Sequence, residues 1–233
     1  MLARLMELRS RGMKAILCYV GVLVCLLPFS DDVFSLIAAP ILAKLPEDAS
    51  LIAKNVASPF LTPLKATMWA ALFLAMPLLL YHVWRYIELW AKVLGKRIAL
   101  PFMFASAVLF YGGVAFAFFL VLPIVFGFFA TVVPAGVVIM TDITAYLDFT
   151  IAMLFAFGLA FQVPIAIVIL VWTGLVTRKK LAASRPYVFL GAFVFGMFLT
   201  PPDVLSQTML AVPMYLLFEV ALLFCARVMP DKA

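Results

Sequence analysis

Four polar side chains stand within otherwise apolar stretches of this chain, and they are the first candidates for chemistry. They are Lys65, Gln162, Gln207 and Glu219. Charged and amide groups in apolar surroundings, above all in a membrane, are costly and commonly mark binding sites, interhelical contacts or ion pathways. For the two glutamines, an interhelical hydrogen bond and a functional contact both remain open. Because burying a carboxylate costs more than burying an amide, we favour a functional role or an ion-paired partner for Glu219.

Signatures of enzymes and of metal or cofactor sites are absent from the sequence. It contains no HExxH, no GxSxG and no glycine-rich phosphate loop. Its three cysteines lie in apolar segments without metal-ligand spacing, and its one histidine, His82, stands near Trp84 at the end of an apolar run. An anchoring role at a membrane interface fits both residues. We therefore predict no enzyme, no cofactor and no metal site.

Long apolar runs recur along the whole chain and separate short clusters of charge. The residues are 67% hydrophobic and the mean hydropathy is +1.21, more than a soluble core can use. A helical crossing of a bilayer needs about 20 apolar residues, whereas the strands of a barrel are alternating segments of roughly 10 residues. The runs therefore fit helices. We predict an all-α integral membrane protein with one transmembrane domain over residues 1–233.

Six transmembrane helices fit this pattern. They are predicted at residues 14–29, 67–83, 98–122, 149–172, 187–199 and 207–225. The fifth and sixth helices are expected to be short, and the fifth is confined between Pro186 and Pro201. About 13 helical residues rise only about 20 Å, which is less than the hydrocarbon thickness of a bilayer. Such a helix requires local thinning of the bilayer or shielding by a partner.

The distribution of basic residues orients these crossings. Of the 17 lysines and arginines, 14 lie in the N-terminal tail, in the segments after the second and fourth crossings, or at the C-terminus. The other three are Lys44, Lys54 and Lys65. Cytoplasmic loops carry an excess of lysine and arginine, so both termini are predicted to lie in the cytoplasm. The basic residues flank apolar runs and form no single patch, which argues against a nucleic-acid partner.

Local signals predict helices and kinks around these crossings. Over residues 32–40, apolar residues recur at helical spacing at Val33, Leu36 and Ile37, and Pro40 follows. The pair Thr141 and Asp142 is placed to cap a helix that leads into the fourth crossing. Prolines in or near the crossings predict kinked helices, which a membrane tolerates when neighbours satisfy the freed backbone groups. These prolines are Pro77, Pro101, Pro123, Pro164 and Pro213.

A set of short motifs carries a resemblance to a known family. In chain order they are ELRSR at 7–11, AP at 39–40, SPF at 58–60, YHVWRYI at 81–87, AFG at 156–158, FQVP at 161–164, RPY at 185–187, TPPD at 200–203, SQ at 206–207, PMY at 213–215 and FE at 218–219. Together they resemble the TatC family, the six-helix receptor subunit of the twin-arginine protein translocase. The resemblance covers essentially the whole chain.

The resemblance implies a concave, glove-like bundle and a function in protein export. Proteins of this family recognise twin-arginine signal peptides of folded cargo on the cytoplasmic side. They act with TatB and with other TatC copies, and they recruit TatA. Export is driven by the proton-motive force across the bacterial inner membrane, without a bound cofactor. The lack of nucleotide and metal motifs in this sequence agrees with that implication.

Six residues match or accompany the signal-peptide site that the resemblance implies. They are Glu7, Arg9, Tyr86, Glu88, Lys96 and Arg97. Two adjacent guanidinium groups are best bound by carboxylates in bidentate geometry and by aromatic faces. Glu7 matches the family's signal-binding glutamate near the N-terminus. The alternative for Glu7 is a local ion pair with Arg9 or Arg11, which is worth little at a surface.

The chain departs from the family pattern at Gly95. The family's second signal-binding glutamate stands at this position, ahead of a basic pair, and glycine cannot supply its charge. We hypothesise that Glu88 partly substitutes within an aromatic cluster, although seven residues along a helix amount to about 10 Å. The alternative is a chain that binds signal peptides weakly or serves a specialised role.

The resemblance also implies a surface for a partner helix. Met197, Thr200 and Gln207 match the patch that contacts the single helix of TatB or TatA. The alternative is that this patch seals the hairpin of the fifth and sixth helices internally. Gln162 stands where the family often has glutamate, and since an amide cannot titrate, no proton relay is expected there.

Two more positions match the family in structural roles. Pro40 is expected to shape the first outer loop. Asp203 is expected to cap the turn between the fifth and sixth helices, with Lys65 as a candidate partner. Both roles follow from the resemblance and not from spacing.

Two other classes of function are open beside a protein-translocation receptor. A small-molecule or proton-coupled transporter needs a central charged site and usually internal repeats, and this sequence shows neither clearly. An intramembrane enzyme needs a catalytic set, which is lacking. The translocation receptor is the function that the sequence favours.

Overall fold

A computed structural model describes residues 2–42, 50–90, 96–131, 140–199 and 204–228. Its α-helices are α1 (Leu2–Leu26), α2 (Ser30–Leu42), α3 (Ser58–Trp90), α4 (Lys96–Phe116), α5 (Leu122–Thr131), α6 (Ile143–Ala160), α7 (Val163–Trp172), α8 (Arg178–Ala183), α9 (Arg185–Leu199) and α10 (Val204–Val228). A 3₁₀ turn (Leu27–Phe29) joins α1 to α2, and a π-helical turn (Ala117–Val121) joins α4 to α5. The described strands are β1 (Ser50–Ile52) and β2 (Met140–Asp142).

Five helical segments among the described residues are long and apolar enough to cross a membrane. They are Arg9–Ala39, Ser58–Trp84, Leu100–Phe129, Ile143–Trp172 and Gln207–Arg227. The predicted fifth crossing corresponds to the apolar but shorter helix Arg185–Phe198. The helical membrane character and the short fifth helix that the sequence predicts are thereby confirmed.

The prediction of a short sixth helix is wrong. Helix α10 has 25 residues, which corresponds to a length of about 37 Å. Pro213 lies inside this helix and does not end it. A proline removes one backbone donor, and packing against neighbouring helices lets an apolar helix continue past that defect.

The chain forms two compact units, of which the first comprises Met1–Ala107 and Phe126–Ile151. In this unit α1 and α2 both pack on α3. A buried cluster of Ile37, Ala66, Leu147 and Ile151 joins α2, α3 and the start of α6. The helix predicted over 32–40 is confirmed as α2, and it supplies part of this core.

A parallel strand pair, which the sequence did not predict, closes one end of the first unit. Strands β1 and β2 pair with Leu51 opposite Thr141. Next to the pair, the buried Tyr146 donates its hydroxyl to the carbonyl oxygen of Ile37 at 2.7 Å. The predicted cap is also present, since the carboxylate of Asp142 accepts the backbone N–H of Thr144 at 3.4 Å.

The second unit comprises Val108–Val125 and Ala152–Ala233. Within it, α10 packs against α7, α8 and α9. Two glycines let α4 and α6 approach closely, because Gly113 faces the backbone of Phe157 and Gly158 faces the ring of Phe110. Both phenylalanines are fully buried. The contact between α4 and α6 is therefore one in which each helix places a glycine against a phenylalanine of the other.

The predicted proline kink in the fourth crossing is observed as a break between α6 and α7. The backbone N–H of Gln162 bonds to the carbonyl of Leu159 at 2.9 Å, three residues back, in place of the regular four. Pro164 then stands in the first turn of α7, where the lack of an N–H is tolerated. The break places Gln162 between two helical segments.

Candidate functional site

The six residues predicted to bind a signal peptide lie at three helix ends. Helix α1 carries Glu7 and Arg9, the end of α3 carries Tyr86 and Glu88, and α4 begins with Lys96 and Arg97. The Arg9 side chain is exposed. The other five side chains, and Gly95 altogether, lie outside the described residues. Their convergence on one ligand stays a prediction.

A buried hydrogen bond closes the base of the hairpin that carries four of these residues. The indole N–H of Trp84 donates to the hydroxyl of Ser106 at 2.9 Å, and both residues are almost completely buried. The Trp84 ring also stacks in a tilted arrangement on Phe102, with centroids 5.7 Å apart. Trp84 was predicted as an interfacial anchor and as part of the aromatic cluster around Glu88, and its burial places it in the contact between α3 and α4.

Of the residues predicted to contact a partner helix, Met197 is exposed and Gln207 makes an internal contact. Met197 on α9 is 51% exposed. Gln207 on α10 is half-buried, and its amide nitrogen donates to the carbonyl oxygen of Phe193 at 2.8 Å. Gly196 permits this contact, since a methyl group there would lie 3.3 Å from Cγ of Gln207. Thr200 lies outside the described residues.

Glu219 lies at the centre of a polar cluster between α9 and α10. The Arg185 guanidinium donates two hydrogen bonds to its carboxylate, at 2.8 and 2.9 Å. The Tyr215 hydroxyl, one helical turn before Glu219, donates a third at 2.8 Å. The Tyr215 ring in turn meets Phe189 edge-on, with centroids 5.4 Å apart. The ion-paired partner expected for Glu219 is therefore Arg185.

Lys65, another polar residue in an apolar helix, also has an acidic partner. Its ammonium group pairs with Asp148 on α6. Nearby hydroxyls link the same helices, because Thr144 lies 3.2 Å from the hydroxyl of Thr62 and 3.3 Å from that of Ser58. The sequence contained a signal for Asp148, an acid in an apolar run, which we did not use.

For Asp203, Pro40 and Gln162, the structure gives fewer contacts that bear on their predicted roles. Asp203, the candidate partner of Lys65, lies outside the described residues, as does the side chain of Pro40 near the end of α2. Gln162 is half-buried at the break between α6 and α7. Its amide is thus placed where regular helical hydrogen bonding is interrupted.

Comparisons with known proteins agree with this arrangement. Residues 3–213 match the sequence profile of the family described as Sec-independent protein translocase protein (TatC). The chain is 52% identical over 228 residues to the protein of that name from Azotobacter chroococcum, covering 98% of this chain and 89% of the relative. It is 46% identical over 224 residues to the Escherichia coli K12 protein, covering 96% and 87%.

Comparison with solved structures also matches the chain to TatC proteins. A crystal structure described as the twin arginine translocase receptor TatC superposes with a TM-score of 0.84 at 31% identity. The match covers 96% of this chain and 98% of the crystallised one. A family of translocase subunits accounts for the lack of enzyme signatures in the sequence. The chain belongs to the TatC family of Sec-independent protein translocase proteins.

Proposed function

We propose that this chain is the receptor subunit of a twin-arginine translocase, binding twin-arginine signal peptides of folded proteins on the cytoplasmic side. The observation that carries this proposal is the sequence identity of 52% and 46% to translocase subunits over nearly the whole chain. In this function it assembles with TatB, TatA and further copies of itself, and the proton-motive force drives export. A small-molecule transporter has no comparable support.

The proposed topology has six crossings in the bacterial inner membrane, with both termini in the cytoplasm. Five long apolar helices and the shorter α9 supply the crossings. The excess of basic residues in alternate loops supports the orientation. A single transmembrane domain over residues 1–233 and a concave, glove-like shape are part of the same proposal.

The proposed chemistry of recognition is the pairing of two guanidinium groups with carboxylates. Glu7 and Glu88 supply the carboxylates, and Tyr86 supplies an aromatic face on which a guanidinium can stack. Arg9, Lys96 and Arg97 frame the site and orient these acids through ion pairs. Gly95 removes one carboxylate relative to the family, so Glu88 carries more of the binding than its counterpart in a relative.

The proposal is tested by binding of a twin-arginine signal peptide to the detergent-solubilised chain, with a twin-lysine peptide as control. We expect selective binding of the twin-arginine peptide, because lysine cannot form the bidentate pairs. Glu7→Ala and Glu88→Ala should each weaken it, and Gly95→Glu should strengthen it. Equal binding of both peptides by the wild type and by Gly95→Glu would refute the proposal.

The Trp84–Ser106 hydrogen bond is expected to position the signal-peptide site. Loss of one buried hydrogen bond should weaken peptide binding about tenfold in both Trp84→Phe and Ser106→Ala, measured by titration with labelled peptide. Because both changes remove the same bond, the double variant should bind no more weakly than either single one. Independent effects that multiply in the double variant would contradict this coupling.

Met197 is expected to contact the partner helix, whereas Gln207 holds the hairpin together. Disulfide crosslinking to a TatB helix with introduced cysteines, in a background free of the three native cysteines, distinguishes these roles. We expect crosslinks from Met197→Cys and none from Ala192→Cys, since Ala192 on the same helix is buried. Crosslinks of equal yield from both positions would count against a directed surface.

A further inference from the structure

The corner between α7 and α9 brings a basic segment to the ends of the apolar helices. Helix α7 ends at Trp172, and Gly174 then turns the chain with a φ of +73°. This turn is closed by the backbone N–H of Val176, which bonds to the carbonyl of Leu170 at 3.2 Å. Thr177 caps α8 by accepting the backbone N–H of Lys180. Only five residues separate α7 from α8.

A hydrogen bond to α10 fixes the level of α8 along these helices. The guanidinium of Arg178 donates to the carbonyl oxygen of Ala226 at 3.4 Å. Ala226 is the last residue but one of the apolar segment Gln207–Arg227. Helix α8 therefore lies at the end of two membrane-spanning segments, where the hydrocarbon gives way to lipid headgroups.

The charges of this corner are divided between internal partners and the surface. Arg178 bonds to α10, and Arg185 is paired with Glu219. Lys179 and Lys180 are both exposed. The sequence has no acidic residue from 149 to 202, and the carboxylate of Glu219 on α10 is already bound by Arg185 and Tyr215. Two adjacent, exposed ammonium groups at this level are well placed to bind an anion.

Exposed apolar and aromatic residues flank the two lysines along the chain, and they indicate the kind of anion. Leu175 is 75% exposed, Tyr187 is 77% exposed and Trp172 is 40% exposed. Tyrosine and tryptophan are enriched at the interface between hydrocarbon and water. Exposed apolar side chains on either side of two lysines suit a ligand with both a phosphate and acyl chains better than a free phosphate ion.

We propose that Lys179 and Lys180 bind the phosphate headgroup of an anionic phospholipid, with Leu175 and Tyr187 against its acyl chains. The proposal uses none of the residues predicted to bind the signal peptide. Each lysine near an anionic membrane surface changes affinity about fivefold. Lys179→Gln/Lys180→Gln should therefore lower the affinity for an anionic lipid about 25-fold.

Quenching of tryptophan fluorescence tests the proposal in the full-length chain in neutral detergent. The quenchers are brominated phosphatidylglycerol and, as the neutral control, brominated phosphatidylcholine. The difference in fluorescence between the wild type and Trp172→Phe is the contribution of Trp172, and its quenching reports lipid binding at this corner. We expect phosphatidylglycerol to quench Trp172 at much lower concentration than phosphatidylcholine does, and the lysine double variant to abolish that difference.

A second double variant shows whether lipid binds at this specific site or responds only to the total surface charge. Arg11→Gln/Lys14→Gln removes the same net charge from the N-terminal tail and should leave the quenching of Trp172 unchanged. Equal losses in both double variants, or equal quenching by the two lipids, would overturn the proposal. Displacement of the lipid by millimolar inorganic phosphate would overturn it as well, because the ligand would then be a free anion. Circular dichroism of each variant confirms that it is folded.

Discussion

Gly113→Ala is expected to lower the free energy of unfolding by about 3 kcal/mol, at the upper end of overpacking penalties. A methyl group at Gly113 would lie 2.5 Å from the carbonyl oxygen of Phe157 and 2.9 Å from Cγ of Phe161. The first of these atoms belongs to the helical backbone and cannot move aside as a flexible side chain does. Relief of the clash requires α4 and α6 to separate, which loosens the buried aromatic packing between them.

The measurement is thermal unfolding of the purified protein, and a neighbouring glycine provides the control. A loss of this size lowers the midpoint by roughly 10 °C. Gly158→Ala should act similarly, since its methyl group would lie 2.6 Å from the buried Phe110 ring. Gly112→Ala adds the same atom to the same helix where nothing lies within 4 Å. Equal midpoints for Gly112→Ala and Gly113→Ala would contradict the expectation.

Loss of either partner in the Arg185–Glu219 pair is expected to have the second large effect. Removal of one charge leaves the other uncompensated between apolar helices, which costs more than removal of both. The pair is partly exposed, which limits the effect of losing its charge-assisted hydrogen bonds, so Arg185→Ala and Glu219→Ala should each lower the thermal midpoint by roughly 3–6 °C. Tyr215→Phe removes one neutral donor and should lower it by no more than roughly 3 °C.

A double variant tests whether the pair itself is responsible. Arg185→Ala/Glu219→Ala removes both charges, so its midpoint should lie above the value obtained by adding the two single effects. Strict additivity of the single effects would mean that the two side chains act independently. The same variants, assayed for crosslinking from position 197, reveal whether the pair also orients the exposed face of α9.

The helices could be predicted from the sequence because a bilayer demands long apolar segments with charge at their ends. That demand is local, and it predicted the long apolar helices, the short α9 and the kink at Pro164. The sixth helix was expected to be short, whereas α10 continues past Pro213 for 25 residues. In an apolar helix a single proline bends the chain without ending it.

Pairings between distant residues could not be predicted in the same way. Lys65 and Asp148 are separated by 83 positions. Apart from their opposite charges, nothing in the sequence around either residue indicates that the two are partners. Strands β1 and β2 have three residues each, too few for a pattern of alternation. For the signal-peptide residues, the family resemblance supplied the assignment, because the residues alone favour a local ion pair for Glu7.

The parallel strand pair has a consequence for the synthesis of the protein. Leu51 and Thr141 are paired although 90 positions separate them. At about 5–20 residues per second, a ribosome completes β1 roughly 5–20 s before it supplies β2. During that interval the backbone groups of β1 are satisfied by water. A nascent chain halted before Met140 therefore carries an incomplete first unit, however well its earlier helices have inserted.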